Sequence, residues 1–356
     1  MSTTTMPTTA AEAPRRGTGR VGAPLVVGLG VVALIASVAA AMTFGAADVS
    51  LVNVRDIVSN NLGLTDIPVR AAANAIVWED RLPRALVAAA CGAGLGLCGV
   101  VMQALLRNPL ADPFVLGVSS GASTGAVLVA VLGLGGGALG LSAGAFAGAL
   151  IAFAVVLLLA RAAAAATSGV ILAGVAGTHF FSAVTSLVVF AFADSDATRG
   201  VMFWLLGSLE GMRWSQVWLA VAVVAVGAVL VSASAHILDA FAFGDDVAAS
   251  LGIHVGRVRL LLFVLTALLT ATLVSVAGAI GFVGLVLPHA ARLLVGSRHA
   301  RVIPTTIVLG ALFMVWVDAA SRTVFAPSPL PVGVGTALVG VPVFVALLVR
   351  RRKVRG

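Results

Sequence analysis

The chain has 356 residues, of which 60% are hydrophobic and 10% charged, and its mean hydropathy is +1.12. Soluble domains carry about 25% charged residues, so this composition excludes a water-soluble enzyme and a disordered chain and requires an integral membrane protein. The net charge of +8 does not point to nucleic acid, because the cations sit at the ends of apolar runs rather than in one patch.

Residues 1–23 form a Ser/Thr/Ala-rich tail, expected to be disordered. The Arg-bearing start and the run from Leu25 imitate a signal peptide, but an apolar run of about 20 residues is long for one and fits a span. Charge-free or nearly charge-free segments then predict ten spans, near 24–44, 85–106, 114–134, 139–160, 170–192, 214–235, 258–278, 280–294, 302–317 and 332–349. The Gly-rich stretch Gly133–Gly140 divides one long apolar run into two of these. Residues 201–209 are apolar but too short to cross, which predicts an interfacial helix. Ten crossings put both termini on one side. If that side is cytoplasmic, fifteen Arg and Lys residues face inward and seven outward, as the positive-inside rule requires. The domain reading is a tail over 1–23, one all-helical membrane domain over 24–350, and a basic cytoplasmic tail over 351–356.

No energy source is visible. The one lysine, Lys353, lies in the basic tail, so the chain has no Gly-Lys-Ser/Thr phosphate loop. Acidic residues fall at or near the predicted span ends, His179 is the one titratable group in mid-span, and His289 lies in the short eighth span. This favours an external motor over ion coupling. Gly94-Leu-Gly96-Leu-Cys98-Gly99 matches a dinucleotide fingerprint in letters, but it lies inside a predicted membrane helix. Gly92, Gly96 and Gly99 read instead as small residues for close helix packing. Cys91 and Cys98 read as packing residues on the same face. No His/Asp/Glu cluster has metal-ligand spacing within a span, so neither a metal nor a cofactor is expected.

Three segments break the hydrophobic pattern. The first is Arg81-Leu-Pro-Arg84 leading into GAGLGLCGVVMQALLRNPLADPFVLGVSSGA, residues 92–122. The second is LDAFAFGDDVAASLGIHVGRVR, residues 238–259. The third is AGAIGFVGLVLPHAARLLVG, residues 277–296, followed by PLPVGVGTALVGVPVFVALL, residues 329–348. Asn108-Pro109-Leu110-Ala111-Asp112-Pro113 predicts a fixed non-helical turn, since each proline removes a donor and disfavours helix before it. In the second segment, Asp245 can cap a short helix and Gly252 can end it in the left-handed region. The face made by Val247, Ala248 and Leu251 is then apolar outside the membrane, as a partner groove would be.

These segments, in this order over about residues 75–350, resemble the FecCD/BtuC family, the membrane subunits of ABC importers for ferric siderophores, haem and vitamin B12. The resemblance implies a ten-helix, BtuC-like type II importer fold with cytoplasmic termini, in the cytoplasmic membrane of a bacterium. It implies a permease subunit without enzymatic activity of its own. Its partners would be two ABC ATPase subunits, an extracytoplasmic binding protein, a second permease copy or paralogue, and the lipid bilayer. The ATPase-coupling role falls on Asp245, Asp246, Ala249, Leu251 and Gly252. Docking of the binding protein falls on Arg81, Arg84 and Arg322, whose planar forks suit carboxylates. Thr167 and Ser168 take the position of a cytoplasmic gate, with a helix cap as the alternative. Asn108, Pro109, Asp112 and Pro113 form the turn motif, either a rigid turn alone or a part of gating. Gly174, Gly177 and Ser182 fit either a wide pathway or tight packing. A ferric siderophore is the expected cargo, with haem or cobalamin as alternatives. An ion-coupled secondary transporter is the reading from a different class. A faint inverted repeat would match spans two to five with seven to ten and Pro109 with Pro288.

Overall fold

The computed structural model describes residues 22–45, 47–133, 138–162, 167–193, 195–324 and 330–355, and every described regular element is helical. In chain order these are α1 (Ala23–Ala41), α2 (Leu51–Asn61), α3 (Ala71–Asn74), a π-helical turn (Ala75–Arg81), α4 (Leu82–Leu105), a 3-10 turn (Pro113–Leu116), α5 (Val118–Leu132), α6 (Ala138–Ala162) and α7 (Thr167–Phe192). They continue as α8 (Ser195–Leu205), α9 (Trp214–Ala233), α10 (Ala235–Phe243), α11 (Asp245–Ser250), α12 (Val255–Ala277), α13 (Val283–Val295), α14 (His299–Thr323) and α15 (Val332–Arg355). Among the described residues seven helices are long and apolar enough to cross a membrane, and Val118–Leu132, Val283–Val295 and Val332–Ala346 are shorter apolar helices. The tail at 1–21 and the middle of the Gly133–Gly140 break lie outside the described residues.

The centre of the molecule is α4, buried along almost its whole length. The cause is its small-residue sequence. An added Cβ at Gly92 would meet the carbonyl of Gly310 on α14, and one at Gly99 the carbonyl of Gly284 on α13. Gly96 faces Thr306, and Gly94 faces Leu273 and Val224. With no side chain between them, backbones approach closely and dispersion contacts multiply. The fingerprint-like glycines are therefore packing residues. Cys91 and Cys98 are fully buried and unbridged in the same core.

A second group gathers α5, α6 and α7. Gly121 and Gly125 interlock with Gly144 and Gly148. The Thr124 hydroxyl lies 2.8 Å from the Thr185 hydroxyl and donates to the Phe181 carbonyl at 2.8 Å. Helix α1 differs from both groups. It is apolar on all sides and mostly exposed, as a helix facing lipid acyl chains would be.

Several boundaries differ from the sequence reading. The second span starts earlier, because the π turn and α3 continue α4 back to Ala71. The ninth extends over His299–Thr323, beyond the expected 302–317. In place of the helix expected over 201–209, α8 covers Ser195–Leu205 and residues 206–213 form its exit turn. The basic end is the last part of α15 rather than a separate tail. Pro109 lies in a turn, whereas Pro288 is inside α13, so the two are not equivalent positions.

Candidate functional site

Chemistry concentrates at the two ends of the bundle. At one end α9 passes through Ser234 into α10, and α10 meets α11 at Gly244. Gly244 has φ 119° and ψ 164°, which a side chain would resist, so glycine permits this sharp elbow. Gly244, not Asp245, precedes the first helical residue of α11, and it makes no side-chain cap. The Asp245 carboxylate instead accepts from Arg259 Nη2 at 2.6 Å, and this hydrogen bond holds it below the usual carboxylate range. Arg259 also lies 5.5 Å over the Phe241 ring, so one guanidinium ties α10, α11 and α12 together. Gly252 has φ +80°, and the bonds Gly252 N–H to Ala249 O and Ile253 N–H to Ala248 O close the helix as a Schellman cap does.

The elbow presents an apolar patch. Phe243 is 79% exposed, Leu251 67% and Val247 42%. Asp246, Ala249 and Gly252 are exposed beside them. Ala248, expected on the same face, is fully buried and joins the core instead. The elbow is anchored from below: Asp239 on α10 accepts from the His299 backbone N–H at 3.0 Å and lies 2.6 Å from its Nδ1, at the start of α14.

The turn motif lies at the same end and is rigid, as its prolines predict. Asn108 Oδ1 accepts from Leu110 N–H at 2.9 Å, and Asp112 Oδ1 accepts from Phe114 N–H at 2.9 Å. Pro113 is buried against Gly284. Burial pushes the Asp112 carboxyl up to about 6, against the pull of its Phe114 N–H. Gln103, which the motif reading passed over, donates to the carbonyls of Gly284 and Leu285 and accepts from Arg292, fastening α4 to α13. Thr167 and Ser168 open α7, and their side chains lie outside the described residues. Gly174 and Gly177 pack against Val115 and Val156, which favours the packing alternative for them, while Ser182 and His179 are exposed on the far face of α7.

At the opposite end the three arginines come together, but not as free cations. Arg84 is 6% exposed and its Nε donates to Asp318 Oδ1 at 2.7 Å. Asp318 is fully buried on α14. Its other oxygen lies 3.1 Å from Arg322 Nη2, one turn along the same helix. Arg322 also donates to the carbonyls of Ala41 and Phe44, and Arg81 to those of Met42 and Ala47 at 2.8 and 2.7 Å. The arginines thus satisfy the open carbonyls at the end of α1 and of the following loop. Arg81 and Arg322 turn their guanidiniums toward backbone carbonyls rather than standing outward as free cations. Sequence reading missed Asp318, although its spacing of four from Arg322 was the available signal. Around this end, Trp78, Trp214 and Trp218 stack in series and Trp316 meets Phe44, as in an aromatic belt at a membrane–water boundary.

Among the described residues no group of three His, Cys, Asp or Glu could hold a metal ion.

Comparison with known proteins agrees with this arrangement. Residues 32–350 match the model of the FecCD transport family. The cobalamin import permease BtuC of Halobacterium salinarum is 41% identical over 295 residues, covering 81% of this chain and 77% of its own. The iron(3+)-hydroxamate import permease FhuB of Bacillus subtilis is 34% identical over 334 residues, covering 93% and 85%. A solved metal-chelate-type ABC transporter in an inward-facing conformation superposes with a TM-score of 0.81 at 27% identity, covering 92% of this chain and 99% of its own. The chain belongs to the FecCD transport family and is a multi-pass membrane permease of the ABC importer class.

Proposed function

We propose that the chain carries a ferric siderophore across the cytoplasmic membrane of a bacterium, as one half of a permease dimer driven by two ATPase subunits. The observation that carries the reading is the exposed apolar elbow at Phe243, Val247 and Leu251, outside any span and buttressed by Arg259 and Asp239. Such a patch costs solvation unless a partner covers it. A motor that must push on the permease needs a stiff lever, and one ion pair and one hydrogen-bonded carboxylate make the elbow one. In this reading the elbow end is cytoplasmic, the seven long and three short apolar helices make ten crossings, and both termini are inside. The arginine end faces outward and receives a binding protein. Of its three arginines, Arg84 is the one whose terminal fork is not bonded to backbone carbonyls. The rigid turn at Asn108–Pro113 and the start of α7 at Thr167 and Ser168 form the inner constriction.

Siderophore cargo is supported by the relative that imports iron(3+) hydroxamate, which aligns over 93% of this chain. The cobalamin permease at 41% identity favours a second reading, cobalamin import. Uptake of radioiron from a panel of ferric siderophores, and of labelled cobalamin, into a deletion strain with and without the restored chain tests both. The proton gradient is collapsed while ATP is maintained. Chain-dependent uptake of one label that persists names the cargo and the motor. Uptake that vanishes with the gradient refutes ATP drive and supports an ion-coupled carrier.

A further inference from the structure

A groove between α6, α7 and α12 has a cationic mouth and an apolar floor. It holds about 460 Å³ and is open on one side, within the roughly 300–1,000 Å³ of ligand pockets. Arg161, in the last turn of α6, faces Arg257 and Arg259, near the start of α12, across it. Leu157, Val170 and Phe263 supply apolar wall, and none of the lining residues is acidic. On α12 the lining positions 256, 259, 260 and 263 follow the spacing of one helical face, as 157, 160 and 161 do on α6. Gly256 leaves a notch in that face, since nothing lies within 4 Å of an added Cβ.

Of the three arginines, Arg259 is the paired one. Asp245 takes its Nη2, while its Nε is buried with no acceptor among the described residues. Arg161 and Arg257 are exposed, and no side-chain hydrogen bond or ion pair joins either to another described residue. Three guanidiniums against one carboxylate leave two positive charges at the mouth. The surface around them is apolar: α6 and α12 are both of membrane-spanning length, and Leu158, Leu159 and Leu261 beside the lining positions are exposed. The groove therefore opens where the bare flanks of two spans meet the cations at their ends. A ligand that matches it is anionic at one end and apolar at the other. A soluble phosphate would leave the floor bare, and a neutral lipid would leave the charge uncompensated.

We propose that this groove binds one anionic phospholipid, its phosphodiester held between Arg161 and Arg257 and an acyl chain lying along the α6–α12 seam over Leu157 and Leu260. Basic pockets between spans recognise such headgroups, and the guanidinium fork suits phosphate oxygens. The bound lipid would sit beside the arginine that braces the elbow, whichever cargo is carried.

The test titrates the purified full chain, in a non-ionic detergent, with dioleoyl phosphatidylglycerol or dioleoyl phosphatidylcholine and reads lipid adducts by native mass spectrometry. The wild type should bind phosphatidylglycerol at least about tenfold more tightly. Arg161→Gln with Arg257→Gln should bring the two lipids within about threefold of each other. Both arginines are exposed and unpaired among the described residues, so this variant should melt as the wild type does. Arg298→Gln with Arg301→Gln removes the same charge from exposed positions at the start of α14, outside the groove, and should keep the preference. Gly256→Leu fills the notch and should weaken phosphatidylglycerol binding about tenfold. Equal affinity for the two lipids in the wild type, or equal losses in the two double variants, would overturn the site in favour of general surface charge. Unchanged binding in Gly256→Leu would move the lipid out of the groove. Displacement by millimolar inorganic phosphate would make it a soluble-anion site, and loss of the adduct on adding the ATPase subunits would make it a protein interface; either overturns the lipid assignment.

Discussion

The contact between α4 and α14 leaves no room for a single added methyl group. At Gly92 a Cβ would stand 2.5 Å from the carbonyl carbon of Gly310 and 2.7 Å from Met314 Cγ, with the carbonyl oxygen closer still. Ordinary contact begins near 3.4 Å, so the two axes must part by roughly 1 Å. The obstacle is backbone in the middle of a helix and cannot turn aside as a side chain could. Overpacking of this kind costs about 1–3 kcal/mol, offset by up to about 1 kcal/mol because alanine is the better helix former. Gly92→Ala should therefore destabilise the subunit by about 1–2 kcal/mol. The same displacement reaches Arg84 and Asp318. They lie eight residues along each antiparallel helix from the Gly92–Gly310 crossing, about 12 Å at helical rise. Stretching a 2.7 Å ion pair by even half of that 1 Å takes it out of good hydrogen-bond range. Gly256→Ala is the control, since nothing lies within 4 Å of its added methyl. Thermal unfolding in detergent should show Gly92→Ala melting lower than the wild type and Gly256→Ala at or above it. Equal midpoints for Gly92→Ala and Gly256→Ala would refute the close-packing argument.

Leu251→Asp places a charge on the exposed elbow, so it should leave the melting point near the wild-type value and abolish co-purification with the ATPase subunits; retained co-purification removes the elbow from the coupling surface. Arg259→Ala should loosen α11 and weaken ATPase association in the same assay. Because Arg259 depresses the Asp245 pKa, the pair's contribution is complete above the ordinary carboxylate value and is lost as pH falls through the folded value. ATPase association through this pair should thus stay flat from about pH 5 to 8 and weaken only in stronger acid. Asp239→Ala leaves two donors of His299 without their acceptor and should cost about 1–3 kcal/mol by thermal unfolding. Asp112 has the opposite sign. Its raised value means the folded chain holds the proton more firmly, so stability falls as pH rises from about 4 to about 6; Asp112→Asn should flatten that slope in a melting series.

The sequence was legible where one physical rule decided the outcome. Glycines at 92, 96 and 99 in a charge-free run could serve only close packing, and each faces a neighbouring helix. Two prolines and two Asx-type residues at 108–113 could form only a turn, and they do. Reading failed where partners distant in sequence changed the meaning of a residue. Asp318 marked the expected end of the ninth span, because a lone carboxylate in lipid is costly. In the structure α14 continues past it to Thr323, because Arg84, 234 residues earlier in the chain, supplies the countercharge. The same pair explains why the outer arginines read as free. A single chain shows three cations near apolar ends, but only the fold shows the carboxylate and the carbonyls they hold. The pairing also carries a constraint that no local motif expresses. A buried arginine stripped of its carboxylate is far costlier than an exposed one, so substitutions at Arg84 and Asp318 should be tolerated better together than singly. Replacing both with matched apolar residues, as in Arg84→Met with Asp318→Leu, should preserve folding where Arg84→Met alone does not. A double variant that melts as low as the single one would show that the pair holds the helices together through more than charge neutralisation.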